Sequence, residues 1–288
     1  YRGMPTVIAA PVARRLAVPF VATADSGEFE WIPDIQYGLQ RRWSIRRALA
    51  MAYRQARAVT VCTEFMRQRA AAHGVNAQVI PFGVPADYAR GVMAEPSSLS
   101  RTPDRPPEGP PWRLMHVASI NAVKDHDTLL RAMAILLRHV PDVHLDIVGE
   151  DTTGGVVPRI AHDLGLDDHV TFHGFLPSDL IVPMWARTHV HVVSSRHEAA
   201  GVVTLEAAMA GVPTVGTRVG YIADGAPERA VAVPIANPAA LAEAVTSLLA
   251  NRAHRDARAT AARTWAMSHD ADHTAAMFDR LYRDVTTA

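Results

Sequence analysis

The sequence predicts an α/β fold made of two doubly wound, Rossmann-like domains with parallel sheets, the first of them incomplete. Three observations predict it. Short apolar runs alternate with amphipathic helical runs along most of the chain, which is the pattern of successive βαβ units. A proline-rich stretch at residues 95–111, EPSSLSRTPDRPPEGPP, interrupts that alternation and can form neither a helix nor a central strand. The part before it follows the same pattern but holds too few strands for a full doubly wound domain.

The elements follow in order. In the first part, residues 17–24 (AVPFVATA), 58–63 (AVTVCT) and 77–83 (AQVIPFG) read as strands, with helices over 40–57 and 64–73. Residues 1–94 are thus a partial domain, expected to lack its opening strands. After the linker, 113–119 (RLMHVAS) is a strand, and the next helix carries Leu129, Leu130, Met133, Leu136, Leu137 and Val140 on one face. Strands then follow at 143–149, 170–174, 190–195, 213–217 and 230–234, with helices near 156–164, 178–187, 202–210 and 238–251. Residues 255–286 read as helical only. The second domain is taken as 112–266, and 267–288 as a terminal helix that packs back on the first domain.

Composition narrows the function. The 288 residues carry 29 basic and 29 acidic side chains, a net charge of zero that counts against a nucleic-acid partner. Apolar residues make up 49% and charged residues 20%, a globular rather than disordered balance. One cysteine, Cys62, leaves no disulfide framework and reads as a small buried strand residue. No apolar run reaches the roughly 18–20 residues of a membrane span. The opening residues YRGMPT have no signal-peptide layout and no starting methionine, so the chain reads as a cytoplasmic protein and as a fragment or processed product. Among the basic residues only Lys124 is a lysine; every other is an arginine.

In an open α/β sheet, ligands sit beyond the carboxyl ends of the strands. The richest exit is SSRHEAAGVVTLEAAMAGVP at 194–213. Glu198 lies in its loop, Gly201 opens the following helix and Glu206 lies further along it. A helix N-terminus suits a phosphate, and a glycine lets it approach the backbone. A carboxylate beyond can accept from ribose hydroxyls. The plainer alternative makes Glu198 a helix-dipole charge and Glu206 a solvated position. A second exit sets Lys124 at a helix start, the wrong sign for the dipole unless an anion lies between them. A surface lysine is the alternative. Gly149, Glu150 and Asp151 form a turn that could pass beneath a nucleotide or be an ordinary turn. Gly174, Phe175 and Leu176 could flank a base, or Phe175 could be a core residue.

Together these stretches resemble the nucleotide-sugar-dependent glycosyltransferases of family 4, which have the two-domain GT-B fold. The resemblance rests on the E-x7-E pair Glu198 and Glu206 with LEAAMAGVP at 205–213, on the S-x-N-x-V-K-D stretch ending at Lys124 and Asp125, on IVG at 147–149 and on HGFLP at 173–177. It covers 112–250 and extends more weakly into the first part. It implies a retaining transfer of a sugar from a nucleoside-diphosphate donor, a UDP- or GDP-sugar, with no metal and no other cofactor. It also implies that Glu206 binds the ribose, Glu198 the donor sugar, and Lys124 with the Gly201 and Val202 backbone the diphosphate. Ser119, Gly149, Glu150, Phe175 and Leu176 complete the donor side. Three departures stand out. Ser119 occupies a position where the family commonly has arginine. The family's glycine-rich acceptor loop is absent. Asp25 replaces a common histidine and is the candidate to assist the acceptor hydroxyl.

Two further features invite other readings. His269, Asp270, Asp272 and His273 contain a D-x-D triplet and a histidine pair, but they open a terminal helix, where acids suit the dipole, and are not taken as a metal site. Residues 41–57 hold Arg41, Arg42, Arg46, Arg47, Arg54 and Arg57 with Trp43 and no acid, either a solvated face or a contact with anionic membrane on its inner face. Two alternatives to a transferase remain on sequence: a sugar-nucleotide epimerase on the same fold, and a nucleotide-binding remnant without turnover.

Overall fold

The computed structural model describes residues 4–88 and 108–287, so most of the predicted linker lies outside the described residues. The first part comprises α1 (Met4–Leu16), β1 (Val21–Ala24), α2 (Trp43–Gln55), β2 (Ala58–Val61), α3 (Glu64–Ala72) and β3 (Gln78–Val79). Its strands pair in parallel in the order β1-β2-β3. Helix α1 was not anticipated: Pro11 lies inside it and obscures its periodicity. α2 starts later than predicted, because residues Leu39–Arg41 form a 3-10 turn and Arg42 is extended. β3 is shorter than predicted; Pro81 has no N–H to donate, and the chain leaves the sheet toward the second part. α3 begins cleanly because the Thr63 hydroxyl accepts from Met66 N at 3.1 Å.

The second part alternates strand and helix throughout. It runs β4 (Trp112–Val117), α4 (His126–Leu136), β5 (Val143–Val148), α5 (Val156–Asp163), β6 (Val170–Phe172), α6 (Ser178–Trp185), β7 (Val190–Val193), α7 (Val203–Met209), β8 (Thr214–Thr217), α8 (Gly220–Gly225), β9 (Ala230–Val233) and α9 (Pro238–Ala250). The short α8 was not anticipated. The predicted final helix is two helices, α10 (Arg252–Ser268) and α11 (Ala271–Thr287). All six strands are parallel, in the order β6-β5-β4-β7-β8-β9.

Leu145 and Ile147 on β5 and Val190 and Val192 on β7 are buried in the main core. The α4 face bearing Leu129, Leu130, Met133 and Leu136 covers them beside Leu241, Val245 and Leu248 of α9. Both strands are buried along nearly their whole length, Asp146 and His191 included, as in a sheet covered on both faces.

A second apolar cluster joins the two parts. It holds Val61, Cys62 and Met66 from one side and Ala199, Leu205 and Tyr221 from the other. Polar contacts border it. Thr63 Oγ1 donates to Ala199 O at 2.7 Å, and the Asp224 carboxylate accepts from Glu64 N and Phe65 N at 2.7 and 2.8 Å. The Tyr221 hydroxyl accepts from Phe82 N and donates to Phe82 O. Thr274 of α11 donates to Pro81 O at 2.7 Å and accepts from Gly83 N at 2.9 Å. Burial pushes the Cys62 thiol up to about 12, as for an inert core residue.

Candidate active site

β4 has β5 on one side and β7 on the other, so the direction of sheet building reverses at β4. The loops leaving β4 and β7 diverge there, and a crevice opens at their carboxyl ends. Two bonds hold the loops in register: Arg196 N donates to Val123 O at 2.7 Å, and Ser194 Oγ donates to Lys124 O at 2.7 Å. On the β4 side, Asn121 caps a 3-10 turn, Ala122–Lys124, and Asp125 then adopts a left-handed conformation (φ 50°). The Asp125 carboxylate in turn caps α4 at Thr128. This double cap, rather than the helix itself, positions Lys124.

Lys124 Nζ lies 2.5 Å from Glu198 Oε1, and Ser195 Oγ donates to the same oxygen at 2.6 Å. Both ionic side chains are partly accessible, at 21% and 15%. They face a cavity of about 630 Å³ lined also by Asp25, Ser26, Gly27, Tyr37, Ser119, Asn121 and His197. One wall therefore comes from the loop after β1 and the other from the exits of β4 and β7. The His197 ring donates through Nε2 to Ser26 O at 3.0 Å, and Arg196 pairs with Asp34 at 2.8 Å, so both walls are tied across the cleft. Burial pushes the His197 imidazole down to about 4, which leaves it neutral at ordinary pH.

The predicted residues fall into two groups. Asp25, Ser119, Lys124 and Glu198 share the cavity. Gly201 adjoins it: a Cβ there would come within 3.5 Å of the Glu198 side chain, and its φ of 74° suits glycine. Val202 precedes α7, which starts at Val203, so Gly201 lies before the helix rather than opening it. Glu206 lies in the first turn of α7, not beyond it, and outside this cavity's lining. It is half-buried; burial raises its pKa, and a hydrogen bond from Tyr88 opposes the rise.

Gly149 packs against the β4 exit so closely that a Cβ would meet Ala118 O at 1.9 Å, and the Glu150 carbonyl accepts from Ile120 N. Those two residues join the β4 and β5 exits through their backbone. Phe175 is 75% exposed, so it is not the core residue that sequence allowed. Leu176 packs on the cluster around Trp185. Ser195, Asn121, His197, Tyr37 and Tyr88 were missed as site residues. Ser195, Asn121 and His197 lay within the quoted stretches; Tyr37 and Tyr88 carried no local signal.

His269 and Asp270 have structural partners. The His269 ring stacks on Trp265, and Asp270 accepts from His273 N at 2.9 Å as a helix cap. Among the described residues no group of three potential metal ligands occurs, and no helix is long and apolar enough to cross a membrane.

The chain is similar to known proteins along most of its length. It is 29% identical over 281 residues to a GDP-mannose-dependent alpha-(1-6)-phosphatidylinositol monomannoside mannosyltransferase of Mycolicibacterium smegmatis, covering 92% of this chain and 70% of the relative. It is 29% identical over 228 residues to a 2-deoxystreptamine glucosyltransferase of Streptomyces kanamyceticus, covering 76% of this chain and 58% of that one. Among solved structures, HepE of Anabaena in complex with UDP and glucose superposes with a TM-score of 0.78 at 17% identity, covering 99% of this chain and 76% of that one. A sucrose-phosphate synthase of Thermosynechococcus elongatus does so with a TM-score of 0.78 at 21% identity, covering 98% and 72%. The fold is therefore GT-B. The model of the glycosyl transferases group 1 family matches residues 102–265, more than half of the chain. The chain belongs to the glycosyl transferases group 1 family.

Proposed function

We propose that this chain forms the donor-binding cleft of a retaining glycosyltransferase that uses a nucleoside-diphosphate sugar. The observation that carries the reading is the meeting of Lys124 and Glu198 at the switch-point crevice, facing the Asp25 loop across one cavity. Cleaving a sugar–diphosphate bond builds negative charge on the leaving oxygen and oxocarbenium character on the sugar. A preorganised cation stabilises that leaving group. Lys124 fills this role without a metal ion, aided by the Gly201 and Val202 backbone. Glu198 then turns its carboxylate to the sugar hydroxyls, and Ser195 holds one of its oxygens. Glu206 receives the ribose. Gly149, Glu150, Phe175 and Leu176 border the base, and Ser119 leaves room where a second cation is not supplied. Asp25, exposed at the opposite wall, accepts a hydrogen bond from the acceptor hydroxyl.

The donor is a UDP- or GDP-sugar; the relatives' names, with UDP in one structure and GDP-mannose in one activity, support that class. For the acceptor, the observation of interest is the surface of α1, α2 and the turn leading into α2. Arg41, Arg42, Arg46 and Arg47 are exposed beside Trp43, itself 72% exposed, and no acid lies between residues 35 and 63. Ile8, Val12 and Leu16 are exposed at helical spacing on α1. This favours peripheral contact with an anionic membrane on its cytoplasmic face.

A thermal-shift panel of UDP, GDP and their sugars tests the donor assignment. A nucleoside diphosphate should raise the melting temperature of the parent and not of Lys124→Ala. No shift with any member overturns it. Incubation with donor alone distinguishes transfer from epimerisation, since only an epimerase returns an isomerised donor. Sedimentation with vesicles of phosphatidylglycerol tests the membrane contact; equal binding by a variant with Arg41, Arg42, Arg46 and Arg47 changed to glutamine overturns it.

A further inference from the structure

Glu206 is held from a distant part of the chain. The hydroxyl oxygen of Tyr88, from the turn after Val84, lies 3.0 Å from Glu206 Oε2. Trp185 Nε1, at the end of α6, lies 3.0 Å from the same hydroxyl oxygen. An indole N–H can only donate. Tyr88 therefore accepts from Trp185, and its single proton points to Glu206. The direction of both bonds is fixed without any choice of tautomer. Trp185 is fully buried, and Leu176 and Val203 pack with Tyr88 in the apolar cluster around it. Burial and the neighbouring carboxylate keep the Tyr88 hydroxyl protonated.

We propose that Tyr88 is a positioning residue for nucleotide recognition: the Trp185–Tyr88–Glu206 relay anchors one carboxylate oxygen of Glu206 and leaves the other to accept from the ribose hydroxyls of a nucleoside diphosphate. This rests on the reading of Glu206 as the ribose ligand. Two physical effects combine. A glutamate has three side-chain torsions, and anchoring one oxygen removes most of their freedom before the ligand arrives. A donated hydrogen bond also favours the ionised carboxylate, which accepts from hydroxyls better than the acid does. The backbone of Tyr88 continues from residues 81–84, which are bonded to Tyr221 and Thr274. The first half of the molecule thus reaches the nucleoside side of the donor site through one hydroxyl.

The test compares UDP and GDP with their 2′,3′-dideoxy counterparts by calorimetry, in the parent, Tyr88→Phe, Trp185→Phe, Glu206→Gln and the Tyr88→Phe/Glu206→Gln double variant. The parent should prefer the ribo form on the order of tenfold, the scale of hydrogen bonds to a charged group. Tyr88→Phe, which removes one oxygen atom, should lose most of that preference and raise donor KM with kcat nearly unchanged. Its nucleotide affinity should also decline at a higher pH than the parent's as the solution is acidified. Trp185→Phe should act in the same direction more weakly, and Tyr88→Phe should add nothing in the Glu206→Gln background. A parent that prefers the ribo form beside a Tyr88→Phe variant that keeps the full preference and the parental pH profile overturns the relay alone. Tighter nucleotide binding by Tyr88→Phe also overturns it, since the hydroxyl would then occupy the ribose position. A parent indifferent to the dideoxy change overturns the Glu206 reading itself, and the relay with it.

Discussion

The ammonium of Lys124 and the carboxylate of Glu198 meet at 2.5 Å although 74 positions separate them in the chain. They stand at the exits of β4 and β7, neighbours only because the sheet reverses its order there. Each neutralises the other. On the proposed donor reading, a diphosphate would compete for the lysine and a sugar hydroxyl for the glutamate, so that donor binding would replace one internal contact by two external ones.

Lys124→Ala is expected to lower turnover by about 10²- to 10³-fold, the scale for losing one preorganised group at a developing charge. Lys124→Arg is expected to recover little, because the planar guanidinium replaces a compact ammonium already committed to Glu198 and to the cavity. The melting temperature of Lys124→Ala should fall, since the largely buried Glu198 carboxylate loses its counter-charge. Initial rates with a saturating donor and melting curves for both variants check this. Because Lys124 is the single lysine, an amine-selective reagent followed by peptide mapping gives an independent measure: nucleoside diphosphate should protect it.

Glu206→Gln is expected to stabilise the fold at neutral pH. Burial raises the Glu206 pKa above its ordinary 4.5, so ionising it costs more in the folded chain than in the unfolded one. The folded state carries no penalty below pH 4.5 and acquires one as pH rises through the raised value. Melting temperatures of the two proteins should therefore coincide in acid and separate near neutrality, with the variant higher. Equal melting points at neutral pH would remove the argument.

Acid should destabilise the protein through its buried histidines. Burial pushes His116 down to about 4 and His191 to about 3, against 6.5 in an unfolded chain, and His126 is lowered as well. Their contribution to stability is complete above pH 6.5 and is lost as pH falls toward 4 and below. His126, whose two ring nitrogens find no hydrogen-bond partner among the described residues, is the one to replace. His126→Phe should flatten the decline between pH 6.5 and 4 in denaturant titrations, whereas an unchanged slope would assign the decline to other groups.

Asp224→Ala is expected to cost about 1–3 kcal/mol, because it strands two amide donors at the start of α3. Asp224→Asn keeps one acceptor oxygen and should lose less. Urea unfolding midpoints distinguish the two.

Much of this molecule was legible in its sequence for identifiable reasons. β5 and β7 are short runs rich in valine and other large aliphatic residues, interrupted only by His144, Asp146 and His191, and turn residues bracket them, so their type was plain. α1 was hidden by Pro11, and α8 by its six-residue length. Within the site, Asp25, Ser119, Lys124 and Glu198 were named as separate strand-exit residues, and the fold brings them to one cavity. Tyr88 was invisible because its partner Glu206 lies 118 positions away and only tertiary packing joins them. His197 was hidden in the same way: nothing near it in sequence indicates that its ring meets Ser26 across the cleft.

The apolar cluster that joins Met66 to Leu205 and Tyr221 has a mechanical consequence. It makes one side of the junction a pivot, whereas the cavity side is joined by the Arg196–Asp34 and His197–Ser26 polar links and by the His197 ring against Tyr37 and Phe65. A small rotation about that cluster would open the mouth like a jaw on its fulcrum and leave the pivot packed. Separating the halves outright would bare Val61, Met66 and Leu205 to water. A chain cut between residues 88 and 108 should for that reason stay associated as two non-covalently held pieces.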